Sequence, residues 1–460
     1  MPGPKHMKAT FPTWLGVALL ALCVFPLLRY WPARNNIPEH LLNHPVFVKE
    51  NLIPPSIGEE LIDLIKAIGE DQYKGFPTNA ADTLFYKTEH DHVGEAVPLT
   101  STGRCDHPYL IPNNDRTLCT LAGRIDIGRH LILTGGARGL REPYEKIISR
   151  VQSFGVYHFD LSSYDVVNKL FENPSFVDVA KKVCPADKQF LDPFQFNFII
   201  QVPGQTVSTH VDGVYFWGAS RFQFPQWLLA AMKFSGFWED LFIHQVQVVG
   251  YLHRWKPKDS GANNFENDDD GSFVYWDTSA VEPKVVRPFP LSGSVVDGSK
   301  TAHAASVYRM SADIPYIDKS KRHWLRKAKR EDRWTLSNQV DGILRNYTYN
   351  DLRISMVYRG RCFKDQAEVD RFRSQLHGKD GEDGRIPLDD VLNTFLKDLI
   401  KKGQIPKGSS LASLDRLNLA LKIIDTYIKY PLPAGPLVPW NYCALPRIMP
   451  WLGGVMSMVC

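Results

Sequence analysis

His210 and Asp212 stand two apart in the run Gln201-Val-Pro-Gly-Gln-Thr-Val-Ser-Thr-His210-Val-Asp212-Gly213. Side chains of an extended chain repeat every two residues, so an imidazole and a carboxylate at this spacing point to the same face. They supply two of the three ligands of a 2-His-1-carboxylate facial triad. Such a triad holds non-haem Fe(II) on one side and leaves positions open on the other. The third ligand must come from a distant strand, and His303 is the candidate. A second His-x-Asp, His158-Phe-Asp160, shares the pattern but not its surroundings.

Those surroundings are a series of strands. Phe194-Gln-Phe-Asn197-Phe-Ile-Ile-Gln201 alternates apolar and polar residues and predicts a half-buried strand. Pro203-Gly204 predicts the turn that ends it and starts the His210 strand. Gly271 to Asp277 reads as a strand. From Arg287 the chain reads as a turn, a short strand, a glycine-containing turn at Gly298, and a strand opened by His303. Leu352 to Arg359 alternates again, with Arg353 near its start.

This order of motifs resembles the 2-oxoglutarate/Fe(II)-dependent dioxygenase superfamily, including its prolyl-hydroxylase-like and phytanoyl-hydroxylase-like branches, over roughly residues 190 to 362. The resemblance implies a β-rich α+β fold, with a double-stranded β-helix (jelly-roll) core and flanking helices. It implies that His210, Asp212 and His303 ligate iron. Arg353 would grip the remote carboxylate of 2-oxoglutarate, with Ser355 and Asn197 also at the cosubstrate. A guanidinium fork suits that role because it binds a carboxylate through two parallel hydrogen bonds. Arg309 is closer to His303 in sequence but lies on the same strand, and stands as the alternative. The implied cofactors are Fe(II) and 2-oxoglutarate, with ascorbate a candidate addition and dioxygen the second cosubstrate. The implied reaction decarboxylates 2-oxoglutarate to succinate and hydroxylates an unactivated C–H bond of a protein side chain, glycoconjugate or apolar small molecule. The competing class is a membrane-anchored jelly-roll binding module with a vestigial or structural metal site.

The rest of the chain sets bounds. At 460 residues, 44% hydrophobic and 23% charged, it can bury a large core, and a formal net charge of +4 gives no reason to expect a nucleic-acid partner. Phe11 to Leu28 carries no charge, and its 18 residues approach the length needed to span a bilayer core of about 30 Å. It reads as an uncleaved signal anchor, giving a single-pass protein with its catalytic region in the lumen of the endoplasmic reticulum or Golgi. Seven cysteines, with Cys105 and Cys119 bracketing a polar loop, and the sequon Asn346-Tyr-Thr348 fit that compartment.

The organisation expected is a tail over 1–10, the anchor over 11–28, a mixed α/β supporting region over 29–185, and the jelly-roll over 186–362. A helical region over 363–435 and an apolar tail over 436–460 complete it. Ile57–Ile68 has helical spacing with Ser56 placed to cap it. Pro174 to Val183 reads as a short helix. The run Lys319 to Arg333 holds eight cations and two anions and reads as a solvated insertion, with an anionic lipid surface or acidic substrate as the functional alternative. Leu131 to Arg141 is a glycine-rich loop, and His90-Asp-His92 and Cys105-Asp-His107 have side chains that could bind metal but read as isolated polar clusters in loops. Pro225 to Phe242 is apolar nearly all round. Trp227, Phe234, Phe237 and Trp238 in it are candidates for a lid over the site, with core packing as the other outcome.

Overall fold

The structure, a computed structural model, describes residues 36–430 except 72–74, 79–92, 94–96, 100, 102–109, 113–116, 122–143, 159–163, 258–267, 281–282, 319–320, 377, 379–381 and 383. The apolar segment 11–28, the glycine-rich loop, His90, His92, Cys105, His107 and the C-terminal tail therefore lie outside the described residues. Among the described residues no helix is long and apolar enough to cross a membrane.

Thirteen of the strands are used below: β1 (Val46–Lys49), β2 (Phe154–His158), β3 (Phe190–Gln201), β4 (Val207–His210), β5 (Gln245–Tyr251), β6 (Phe273–Trp276), β7 (Lys284–Val286), β8 (Gly293–Val296), β9 (Ala302–Ala305), β10 (His323–Lys327), β11 (Trp334–Asn338), β12 (Gly342–Tyr347) and β13 (Arg353–Phe363). A six-stranded sheet has the order β1-β8-β5-β13-β3-β2, and a four-stranded sheet has the order β7-β6-β9-β4. Their pairings are antiparallel, and from β3 onward the chain passes back and forth between the two sheets. The region before residue 186 is thus built into the larger sheet, lending it β1 and β2 as edges.

Period-two alternation decides what each sheet face meets. On β3, Phe196, Phe198 and Ile200 are fully buried on the outer face. They share a core with Leu61 and Ile65 of helix α1 (Pro55–Glu70), and with residues of α2 (Asp165–Glu172) and α3 (Pro174–Lys181). On the smaller sheet, Val274, Trp276, Ala302 and Ala304 point outward into a second core with α4 (Gln226–Ser235), α6 (Leu388–Lys401) and α7 (Arg416–Tyr427); α5 (Gln366–Leu376) precedes the last two. Each large apolar side chain so buried stabilises the fold by about 1.5–3 kcal/mol. Helices therefore back both outer faces, and the inner faces carry the polar side chains together with two smaller apolar clusters.

Two local expectations change. Helix α1 starts at Pro55, with Pro54 as its cap and no side-chain cap, so Ser56 lies inside the first turn. Proline at the first helical position already has the right φ and no N–H to satisfy. The basic run is a solvated insertion only in part: 329–333 are exposed, but β10 and β11 pair within a third sheet, where Leu325 and Trp334 are fully buried. Several of its cations are taken up by neighbours, Lys327 by Glu70 at 2.7 Å and Lys321 by Asp341 at 2.8 Å. Cys184 and Cys362 form a disulfide with Cα atoms 5.7 Å apart, tying the end of α3 to β13. Cys119 is also disulfide-bonded, while Cys105 lies outside the described residues. Asn346 of the sequon is exposed on β12, and its Oδ1 accepts a hydrogen bond from Thr335 at 2.9 Å.

Trp227 and Phe234 are 2% and 3% exposed and belong to the second core, behind the strand that carries His303. Phe234 meets Tyr430 edge-on at 5.1 Å, and Trp238 meets Phe395 at 5.3 Å. Phe237, 40% exposed, contacts Tyr427 at the rim of the same layer. The four aromatics thus back the smaller sheet and do not overhang its inner face. Phe234→Ala is expected to cost about 3 kcal/mol in chemical denaturation, as for a cavity opened in a packed core. A loss below about 1 kcal/mol would show that this layer is loosely held.

A candidate metal and cosubstrate site between the sheets

The distant ligand reaches His210 through sheet pairing. His303 on β9 stands directly opposite His210 on β4, and their rings lie 4.3 Å apart by centroids. Asp212 follows two residues later, and its backbone N–H donates to Gly298 O at 2.7 Å. Ligand atoms of His210, Asp212 and His303 all lie within 4.8 Å of one another, and the three side chains are buried. Both rings are oriented from behind: His210 Nδ1 is 2.7 Å from Ser208 O, and His303 Nδ1 is 2.8 Å from Thr301 O. A carbonyl only accepts, so Nδ1 carries the proton in each ring and Nε2 presents its lone pair forward. This is the usual arrangement of ligating histidines.

The carboxylate is held by a residue whose role was not foreseen. Arg359 on β13 donates to Asp212 Oδ1 across the gap between the sheets. Burial alone would push the Asp212 carboxyl up, but the charge of Arg359 outweighs it and holds the group well below the usual carboxylate range. The signal was available, since Arg353 and Arg359 are six apart on one alternating strand and must share a face. Tyr430 is a second unforeseen contributor, its hydroxyl oxygen accepting from Val211 N, between the two ligands, at 3.2 Å.

The residues present fit a divalent ion. Two neutral imidazoles and one carboxylate make the donor set Fe(II) accepts. Asp212 Oδ2 is buried without a hydrogen-bond partner. The turn beside it has no room for a side chain, because a Cβ on Gly298 would stand 2.2 Å from that oxygen. Asp297 shapes the turn by accepting from Ser299 N at 3.1 Å and from Ser299 Oγ. Gly298→Ala is therefore expected to push Asp212 aside and to weaken metal affinity about 10–100-fold in a competition titration. An unchanged affinity would mean the turn does not set the carboxylate.

Arg353 sits at the other end of the same strand face. It is 3% exposed, donates from Nη1 to Gln201 Oε1 at 2.6 Å, and lies over the Tyr251 ring at 5.2 Å. Its Nε is buried without a partner, and among the described residues no carboxylate pairs with it. Burial pulls its guanidinium below the usual value. Gly271, with φ +68°, lets the backbone approach, since a Cβ there would lie 2.7 Å from Arg353 Cδ. Two residues on from Gly271, the Phe273 ring is 5.4 Å from that of His303. Ser355 Oγ is 3.4 Å from Ile199 O on this face. Asn197 is buried, with Oδ1 accepting from Gln195 Nε2 at 3.0 Å. Arg309, by contrast, is a surface residue paired with Asp351 at 2.9 Å.

No family model matches the sequence, and no curated protein matches it. Solved structures that overlap the chain include an oxidoreductase of the 2OG-Fe(II) oxygenase family from Burkholderia pseudomallei, at 11% identity and TM-score 0.22 over 43% of this chain and 56% of that one. A prolyl-4-hydroxylase from Pseudomonas putida overlaps at 10% identity and TM-score 0.28, over 70% of this chain and 93% of its own. A non-heme alpha ketoglutarate dependent epimerase of nogalamycin biosynthesis overlaps at 10% identity and TM-score 0.31, over 80% of this chain and 96% of its own. Likenesses this distant assign neither fold nor activity, and the functional reading rests on the geometry of the site.

Proposed function

We propose that this chain is a 2-oxoglutarate-dependent Fe(II) dioxygenase built on a double-stranded β-helix, and that it hydroxylates an unactivated C–H bond. The observation that carries the reading is the convergence of His210, Asp212 and His303 within 4.8 Å on the smaller of two sheets between which the chain alternates. A binding module with a merely structural ion would have no use for Arg353, a buried guanidinium that forms no salt bridge with a carboxylate among the described residues.

His210, Asp212 and His303 would hold Fe(II), which when bound with 2-oxoglutarate and dioxygen supplies the oxidising power for hydroxylation. The protein's own residues position and protect. Arg353 would take the remote carboxylate of 2-oxoglutarate, with Ser355 on the same face. Val249, Tyr251 and Val357, packed with Ile199, would line the stem between the two ends and keep it dry. Arg359 keeps Asp212 ionised in spite of burial, and the two carbonyl-bound Nδ1 atoms stop the rings from turning.

The test is Fe(II)-dependent conversion of 2-oxoglutarate to succinate by the purified full chain, with loss on chelation. A chain that binds Fe(II) tightly yet consumes no 2-oxoglutarate, with or without candidate substrates, would reject the reading. Placement in the lumen of the endoplasmic reticulum or Golgi, behind an anchor at 11–28, belongs to the same proposal. It draws support from the Cys184–Cys362 disulfide, the bonded Cys119 and the exposed Asn346. A glycosidase-sensitive mobility shift lost in Asn346→Gln checks it.

A further inference from the structure

The inner face of the larger sheet is a ladder whose rows run from one end of the site to the other. Gln201 pairs with Arg353 in the first row, and Ile199, Ser355 and Tyr251 form the second. Asn197, Val357, Val249 and Ser294 form the third. Gln195, Arg359 and Gln247 stand side by side in the fourth. At about 3.3 Å per residue the first and fourth rows are roughly 20 Å apart along the strand. The second and third rows, which mix apolar side chains with Ser355, Asn197 and Ser294, thus separate two ends. One is the Arg353 end; the other lies against Asp212.

The fourth row is chemically unusual for a protein interior. Gln195 and Gln247 are 1% and 5% exposed, and among the described residues the Oε1 of each is buried without a hydrogen-bond partner. Arg359 Nε is in the same condition, although its Nη2 serves Asp212. Gln247 Oε1 and Asp212 Oδ2 face one another closely enough that a Cβ on Gly298 would touch both, at 2.3 Å and 2.2 Å. A buried oxygen left unpaired is costly, and folded proteins keep few of them. Two amide oxygens and a guanidinium N–H in one row, beside the metal carboxylate, have the pattern of a site that is completed by a ligand. The large aromatics that could have made an apolar channel are used elsewhere, in the layer behind β9.

On the dioxygenase reading of the site, we propose that Gln195, Arg359 and Gln247 form the substrate subsite, and that the substrate presents a polar group able to donate at least two hydrogen bonds. Hydroxyls of a sugar-like polyol and N–H groups of an amide share that chemistry; an alkyl chain lacks it. Gln195 and Gln247 accept from the donors, and Arg359 Nε gives one bond back to an acceptor on the same group. The amide side chains select the substrate because an apolar competitor would leave their oxygens unpaired in a dry site.

The experiment is calorimetric and needs no turnover. The full chain, loaded with Ni(II) and 2-oxoglutarate, is titrated with N-acetylated amino-acid amides, with monosaccharides, and with n-alkanols of matched size. One of the two polar series is expected to bind, and which one does names the source of the donors. Gln247→Leu and Gln195→Leu should each weaken that binding about tenfold, the equivalent of one lost hydrogen bond. Because Gln247 Oε1 has no partner to lose, the melting temperature of Gln247→Leu should stay within about 2 °C of wild type. Tighter binding of the alkanols, binding by neither polar series, unaffected binding in both variants, or a marked fall in the melting temperature of Gln247→Leu would overturn the proposal. The last outcome would mean the amides serve the fold, through ordered water, and not a ligand. Failure of 2-oxoglutarate itself to bind the Ni(II)-loaded chain would instead strike the dioxygenase reading.

Discussion

Asp212→Ala is expected to abolish iron-dependent consumption of 2-oxoglutarate and also to destabilise the fold by about 3–5 kcal/mol. The first effect follows from losing one of three ligands. The second follows from Arg359, whose side chain is only 16% exposed and whose partner is the lost carboxylate. Removing one member of a buried pair strands the other charge in a medium that solvates it poorly. His303→Ala provides the contrast, since it removes a ligand without stranding a charge. It should lose metal in an equilibrium titration yet unfold closer to wild type in denaturant. Combining Asp212→Ala with Arg359→Leu should recover much of the stability but none of the metal binding. If Asp212→Ala alone is as stable as the wild type, the Arg359 pairing contributes little and the carboxylate is held by the Gly298 turn.

Arg353→Leu should weaken 2-oxoglutarate binding by about 2–5 kcal/mol, or roughly 30- to 4,000-fold in Kd, while leaving metal affinity within a few-fold of wild type. The size of the effect comes from burial. A bidentate guanidinium–carboxylate pair in a dry site has no water to replace the lost partner. Succinate should compete for the same end of the site in the wild type and lose that ability in the variant. Arg309→Leu is the control, because that residue already has Asp351 as its partner at the surface. A loss of 2-oxoglutarate affinity in Arg309→Leu with none in Arg353→Leu would move the cosubstrate to the other arginine.

Much of the site could be read from residue order because His210, His303 and Arg353 sit on strands, and strands announce which residues share a face. His210 and Asp212 needed their spacing and the strand and Pro203-Gly204 turn ahead of them, and Arg353 its place near the start of an alternating run. Where the reading went astray, local pattern had no access to partners. Trp227 and Phe234 look like a lid because they follow Asp212 closely, but proximity in sequence does not say which side of a sheet a helix packs on. The basic run from Lys319 looks solvated, yet Leu325 and Trp334 turn it into a strand pair with a buried face. Ser56 looks like a helix cap only until Pro55 is allowed to begin the helix.

What the chain determined by itself is periodicity: which positions face inward, where turns fall, and which side chains have metal- or carboxylate-binding chemistry. These are properties of neighbours a few residues apart, set by backbone geometry and side-chain type. What only the tertiary structure decided is which inward faces meet. His303 reaches His210 by sheet pairing across 93 residues, and Arg359 reaches Asp212 from the opposite sheet. The rows that set two unpaired glutamine oxygens beside the metal carboxylate exist only once β3, β13 and β5 are in register. Register is a collective result of burying the phenylalanines and valines on the outer face, and a one-residue slip would turn every one of these polar groups away from the site.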